Sequence, residues 1–391
     1  MNKHRLRLYC YLGGFLLNLG VAFAAYVNSS FVEQFVGERS VGLIYVIIAL
    51  LSILISFNAD SLIKKIGNRR ALVFLTLTNL FVIALLLWYR ATPFALLFFI
   101  VYSVLNFLTA INLDLYLEEI SDDRTTGRIR GLFLTLINLA WLASPLLAGL
   151  LVEARGLAAV YLVSGLAFLP LALLVKFILT DIPHEQARFE RAGIYPTLRK
   201  LWRGKEARDR DLRHTIMLDF LLNFFYAVML VYTPIYLHEH IGLAWNQIGL
   251  VMTMALVPFV VLDFFLGWLA DTWLGERELI IAGLLVMAGA TLLLPLLRAP
   301  NVLLWGAILF LTRVGAATLE MMKEAYLFKK IDGRDIDIVF ISRNTSPLAY
   351  LVAPLLATLW LSFFSLQYLF APLALILLLG LPVALKLRDT K

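Results

Sequence analysis

Long apolar runs, broken by short polar segments, organise this chain. Twelve of them read as membrane-spanning helices, near 8–29, 41–57, 71–89, 93–117, 131–152, 158–179, 215–237, 247–269, 279–297, 301–322, 345–363 and 366–385. A span needs about 20 apolar residues, because a helix rises about 1.5 Å per residue and the hydrocarbon core is roughly 30 Å thick. The runs are continuous and do not alternate with a period of two, so they do not describe the short strands of a closed barrel. The expected fold class is an all-α membrane protein.

The spans form two groups of six, separated by the longest polar stretch, residues 181–214, with nine basic and six acidic residues. It reads as a solvated linker with one amphipathic helix along the inner membrane face; a docking site for a partner is the alternative. The halves repeat each other. FLLN occurs at 15–18 and 220–223, and FVEQFVG (31–37) matches YLHEHIG (236–242) at the same offset of 205. AWLASPLLA (140–148) matches AYLVAPLLA (349–357), LTA (108–110) matches LTR (311–313), and Gly67 matches Gly275. Ordered matches at nearly constant offset imply duplication of a six-helix unit. The expected organisation is a bundle at 1–180, a basic cytoplasmic linker at 181–214 and a second bundle at 215–391, pseudo-symmetric with the first.

Composition supports this reading. The chain is 61% hydrophobic and 16% charged, where soluble domains have about 45–50% and 25%. A net charge of +7 could suggest nucleic acid, but its distribution argues otherwise. Of the 34 Lys and Arg residues, 28 fall in segments on one side of the spans, and only Arg39, Arg90, Arg155 and Arg298 on the other. This asymmetry places both termini in the cytoplasm. The basic excess is topological, and no nucleic-acid partner is expected. The basic N-terminus and the run after it read as an uncleaved first helix. One cysteine, Cys10, allows neither an intrachain disulfide nor a multi-cysteine metal site. No phosphate loop, HExxH or nucleophile elbow occurs, so no catalytic residue, cofactor or metal is expected. His238 and His240 flank Glu239 in a loop, as surface polarity or as a pH or metal sensor.

Ionisable residues within spans are the candidate chemistry, since each costs about 2.5–3.5 kcal/mol at the bilayer centre unless it has a partner or a wet cavity. Four stand out: Asp114, Asp263, Arg313 and Glu320. Arg313 and Glu320 share a helix face but lie about 10.5 Å apart along the axis. Asp263 precedes Asp271, and Arg313 precedes Lys323, by similar lengths, so Arg313 is expected to pair with Asp263. That pair is either a structural tie or part of a substrate or proton-coupling site. Glu320 and Asp114 lie closer to the cytoplasmic surface, as gate residues. Lys176, near the inner end of its span, is expected to snorkel. Asn18 and Asn223 occupy equivalent places in the repeat; Asn112, Asn138 and Tyr226 are further polar candidates. Interhelical hydrogen bonds, worth about 0.6 kcal/mol each, are the alternative role for the asparagines.

Gly267-Trp268-Leu269-Ala270-Asp271 resembles the start of the major facilitator superfamily signature, Gly-x-Leu-Ala-Asp-Arg-x-Gly-Arg-Arg. Gly275 follows one residue late, and Glu276-Arg277-Glu278 replaces the basic cluster. In the first half Gly67 is followed by Asn68-Arg69-Arg70, while Asp60 takes the place of the first glycine, or else Ala59-Asp60 is the Ala-Asp pair. Arg128-Ile129-Arg130-Gly131 is also similar to the family. The resemblance implies twelve helices in two bundles and a secondary transporter working by alternating access. It implies substrate contacts from Asn18, Asn223, Tyr226, Asn112 and Arg313, and a cytoplasmic gate motif comprising Asp60, Gly67, Arg69, Arg70, Gly267, Asp271 and Gly275. Pro145 and Pro354 are either structural kinks or, for Pro145, a relic of an antiport signature. The expected substrate is a small organic solute, amphipathic or drug-like, with protons as the candidate coupling ion. The expected setting is the bilayer of a prokaryotic cytoplasmic membrane, with the protein as a monomer. Movement of a lipid or lysolipid, and a non-transporting sensor or scaffold, are the alternatives.

Overall fold

The structure is a computed structural model that describes residues 3–120, 126–179, 194–204, 206–272, 274–331 and 336–388. Within that range the side chains of 3–5, 57–65, 115, 118–120, 126–132, 134, 194–195, 263–265, 267–268, 270–272, 336–337 and 339–340 are outside the description. The first half is α1 (Lys3–Ala25), α2 (Asn28–Val36), α3 (Val41–Ile66), α4 (Asn68–Trp88), α5 (Phe94–Ile120), α6 (Thr126–Arg155) and α7 (Leu157–Phe177). A short α8 (Ile194–Arg203) precedes α9 (Ala207–Ile235), α10 (Trp245–Thr272), α11 (Glu276–Leu293) and α12 (Val302–Lys330). The chain ends with α13 (Ile336–Arg343), α14 (Thr345–Leu361), α15 (Phe370–Leu378) and α16 (Gly380–Ala384).

Among the described residues, eleven helical stretches are long and apolar enough to cross a membrane. The predicted span at 345–363 is α14, a helix of 17 residues, at the short end of the spanning range of about 17–25. Some expected boundaries shift. The end of the linker is helical, because α9 starts at Ala207, eight residues before the predicted span. α12 runs to Lys330, past the predicted end at 322. α8 keeps its apolar side against protein: Leu201 packs with Leu212, Leu327 and Ile338. Arg213 Nη1 donates to the carbonyls of Leu201 (2.6 Å) and Gly204 (2.8 Å), closing the α8 C-terminus.

Contacts divide the chain into two compact units. One holds the described residues up to 179 together with 244–253; the other holds 194–243 and 254–388. The duplication is visible in backbone detail. Gly37 (φ 71°) and Gly242 (φ 78°), 205 residues apart, both adopt the left-handed conformation. Asn18 donates to the carbonyl of Gly14, and Asn223 to that of Asp219, each at 2.9 Å and four residues back.

The first unit is held by neutral hydrogen bonds between helices, as expected where water is absent. Ser164 on α7 donates to the Gly20 carbonyl on α1 (2.7 Å) and meets the Tyr102 hydroxyl on α5 at 3.2 Å. Asn79 on α4 donates to Asn106 on α5 (2.6 Å), and the Tyr161 hydroxyl donates to Asn28 (2.8 Å). The first turns of α10 seat on α6 in the same unit. The Glu153 carboxylate accepts from the Trp245 N–H at 3.1 Å, at the start of α10, where a negative charge meets the helix dipole. Pro145 interrupts the α6 ladder, and Thr253 is inserted there: its hydroxyl accepts from the Leu146 N–H (3.1 Å) and donates to the Leu142 carbonyl (3.4 Å). Between these ties, Gly149 and Gly249 bring the backbones into contact.

Candidate functional site in the second unit

α9 and α12 meet in antiparallel register, and polar residues form rungs along the seam. Asp211 pairs with Lys330 at 3.2 Å. Asp219 pairs with Lys323. The Tyr226 hydroxyl donates to the Glu320 carboxylate at 2.6 Å. The Arg313 guanidinium lies 4.9 Å from the Phe225 ring and 5.9 Å from the Tyr226 ring. Spacings of seven or eight residues along α9 keep these groups on one face, since two helical turns take about seven residues.

Asp219 is the centre of the network. Besides Lys323 it accepts from Ser342 Oγ (2.9 Å), Thr345 Oγ1 (2.7 Å) and Asn223 Nδ2 (3.2 Å). Ser342 and Thr345 flank the break between α13 and α14, so one carboxylate ties α9, α12 and the start of α14 together. A buried carboxylate is tolerated only when paired and hydrogen-bonded in this way. Further along the seam, Lys329 pairs with Glu276 of α11, and Arg208 Nε donates to the Lys330 carbonyl at 2.9 Å. The Tyr326 hydroxyl donates to the Arg388 carbonyl and accepts from the Arg388 N–H, both at 3.1 Å.

The repeat shows what stands at the matching places in the first half. The offset of 205 places Gly14 opposite Asp219, and the offset of 209 places Phe133 opposite Ser342. In the first unit a Cβ on Gly14 would stand 2.1 Å from the Phe133 ring. Where one unit packs a phenyl ring on a glycine, the other sets a hydroxyl on a carboxylate. Arg313 stands opposite Ala110, and Glu320 opposite Leu117.

The packing of α12 explains the direction of Arg313. A Cβ on Gly315 would meet the Gly283 carbonyl and the Met287 N–H of α11 at 2.5 Å, so α11 and α12 touch backbone to backbone there. Arg313, two residues earlier, points about 200° away from that contact and onto α9.

The expected partner of Arg313, Asp263, has its side chain outside the described residues, as do Asp60, Gly267 and Asp271. The depth comparison behind that pairing changes, because Lys323 is two turns inside α12 and is not its end. Glu320 is held by Tyr226 on α9, so these two candidates form one element. Asn18 accepts from the Trp141 indole of α6 at 3.1 Å, and Asn223 donates to Thr345 at 3.3 Å beside the carboxylate. Asn112 is fully buried, and neither amide atom has a hydrogen-bond partner among the described residues. Asp114 is half-buried on α5.

Of the gate motif, Gly67 (φ 95°) needs glycine, whereas Gly275 (φ −76°) has an extended backbone open to any residue. Arg69 closes the C-terminus of α7, donating to the carbonyls of Lys176 (2.6 Å) and Val175 (3.4 Å); Arg70 is exposed. Arg69→Ala should lower stability by about 0.5–1 kcal/mol through loss of this partly exposed cap. Thermal unfolding of the purified protein reads this directly, and Arg69→Lys should recover only part of it, since an ammonium cannot bridge two carbonyls with a planar fork.

Sequence reasoning missed Asp219 and Lys323. The signals were a carboxylate inside the predicted span at 215–237 and a lysine directly after the span at 301–322.

Comparison with known proteins places this geometry in context. The chain matches the model of the Major Facilitator Superfamily over residues 10–323. It is 27% identical over 264 residues to Sugar efflux transporter A of Dickeya chrysanthemi, a match spanning 65% of this chain and 64% of that protein. A solved structure described as that of a bacterial metal transporter superposes with a TM-score of 0.70, covering 99% of each chain at 14% identity. That likeness concerns the fold alone.

Proposed function

Because the chain belongs to the major facilitator superfamily, a family of membrane transporters, we propose that it is a secondary transporter moving a small organic solute by alternating access. The α9–α12 ladder supplies the polar part of its solute site. The observation that carries this reading is the Glu320 carboxylate on the Tyr226 hydroxyl beside the Arg313 guanidinium over the Phe225 and Tyr226 rings, with Tyr226, Glu320 and Arg313 at positions the first half fills with apolar residues. A carboxylate, a guanidinium and ring faces together suit a hydroxyl-bearing solute, with bidentate hydrogen bonds to hydroxyls and C–H faces on the rings. The relative named as a sugar efflux transporter supports the sugar class. An amphipathic or drug-like solute is the second reading, favoured by the aromatic rings beside Arg313. Asn223, tied to Asp219, orients the same face; Glu320 is the group through which a proton gradient would act.

The test is uptake and efflux in proteoliposomes with hexoses, disaccharides, glycosides and amphipathic cations, with and without a pH gradient. Glu320→Gln and Tyr226→Phe are each expected to reduce transport by roughly tenfold or more, the loss of one charged hydrogen bond of about 1.5–3 kcal/mol. Glu320→Gln is also expected to remove any dependence on the gradient. Wild-type liposomes that move nothing in the panel would overturn the reading. Movement of a phospholipid alone would favour the lipid alternative.

A further inference from the structure

The short helix α8 lies against the end of the second unit where α9 begins. Leu201 packs with Leu212 and Ile216 of α9, and Arg213 Nη1 reaches the Trp202 carbonyl (3.3 Å) as well as those of Leu201 and Gly204. The C-terminal turns of α8 are therefore fixed at the depth of residues 212–216. On α9 that depth is the edge of the bilayer. Arg210 is exposed on one side of it. Met217, seven residues or about 10.5 Å further along, is an exposed apolar side chain inside the span. The end of α8 thus stands at headgroup level.

Packing covers one side of α8. Trp202, about 100° round the helix from Leu201, is 59% exposed, and Arg199 and Arg203, about 160° and 200° round, are exposed beside it. Lys200 is exposed as well. An indole held out in water leaves a large apolar ring unburied, whereas a membrane interface accommodates both its apolar body and its polar edge. The charge around Trp202 is one-sided. Arg210 and, near the chain end, Lys386 are exposed, and both charges reach His214 together with that of Arg213, so they belong to the same rim. The acids of the neighbouring turns, Asp209 and Asp211, are buried. That leaves Glu206 as the exposed acid among the described residues of 196–214.

We propose that α8 is a docking face for anionic phospholipids, with the Trp202 indole in the interface and lipid phosphates on Arg199, Lys200 and Arg203. Arginine forks suit phosphate oxygens. A phosphatidylcholine phosphate is offset by its own choline, but an anionic headgroup leaves its charge to the protein. Each basic residue near such a surface is worth roughly a fivefold gain in affinity. The contact ties the start of α9 to the membrane plane, and it does not depend on the solute reading.

The experiment uses the full chain reconstituted in phosphatidylcholine bilayers with a minor fraction of phosphatidylglycerol. One lipid or the other carries bromine high on its acyl chains. The fluorescence difference between wild type and Trp202→Phe isolates Trp202 from the other tryptophans. At equal mole fraction, brominated phosphatidylglycerol is expected to quench Trp202 several-fold more than brominated phosphatidylcholine. Combining Arg199→Gln, Lys200→Gln and Arg203→Gln leaves the packed side of α8 untouched. That variant is expected to lose the preference while keeping the wild-type melting temperature. Equal quenching by the two lipids in wild type overturns the proposal, as does a preference that survives in the triple variant. Trp202 quenched by aqueous acrylamide and by neither lipid also overturns it, and would make α8 a docking face for a soluble partner.

Discussion

Asp219→Ala is expected to abolish transport and to destabilise the second unit by about 3–5 kcal/mol, because it leaves the Lys323 ammonium buried without its counter-charge. The side chains of Asp219 and Lys323 are 6% and 13% exposed, so water cannot replace the lost partner. Ser342, Thr345 and Asn223 would also lose their common acceptor. Asp219→Asn should fall between wild type and alanine, since the amide oxygen still accepts from the hydroxyls while the charge is lost. The double variant Asp219→Ala with Lys323→Met removes both charges and should recover much of the stability, as replacement of a buried pair by apolar groups often does. Transport should not recover with it, because the start of α14 would still lack its tie to α9. Melting temperature, read by tryptophan fluorescence, separates the two effects. A single Asp219→Ala variant with wild-type melting and wild-type transport would remove the network from any role.

How much of this was legible in the sequence depends on the range of the interaction. The spans follow from hydrophobic length, a local property, and the duplication follows from matched strings. The equivalence of Asn18 and Asn223 could also be read from the strings, but not the carbonyl four residues back that each uses on its own helix. The ladder could not. Asp219 stands near the start of a predicted span, where a charge usually signals the membrane boundary. Its hydroxyl partners lie more than a hundred residues away, at a helix break that Pro347 marks in the sequence without indicating what the hydroxyls beside it meet. Lys323 carried the opposite error. It looked like the end of a helix, but α12 continues because the lysine is neutralised from α9. Arg313 illustrates a third case. Its glycine neighbour was visible in the sequence, but its direction follows from Gly283 on another helix. Side chains at Asp263, Trp268, Ala270 and Asp271 lie outside the described residues.

The seat of α10 on α6 leads to the other large expected effect. A Cβ on Gly249 would stand 2.5 Å from the Pro145 carbonyl, and one on Gly149 would stand 2.3 Å from the Trp245 carbonyl. Both neighbours are backbone, so no side-chain rotation relieves the clash, and the helices must separate. Separation would also pull Thr253 out of the gap that Pro145 opens, leaving the Leu146 N–H and the Leu142 carbonyl unpaired in an apolar setting. Gly249→Leu is therefore expected to cut transport by more than tenfold and to destabilise the first unit by about 1–3 kcal/mol from overpacking, with a further ~1 kcal/mol or more from the stranded backbone groups. Gly249→Ala should give a smaller loss of the same kind. Thr253→Val isolates the second component, since it keeps the shape and removes the hydroxyl. If Gly249→Leu alone fails, packing governs the seat; if Thr253→Val fails comparably, the inserted hydroxyl governs it. Wild-type transport in Gly249→Leu would show that α10 does not need this seat at all. Glu153→Gln completes the series: it keeps an acceptor for the Trp245 N–H but removes the charge at the α10 N-terminus, so its effect should stay within about 1 kcal/mol.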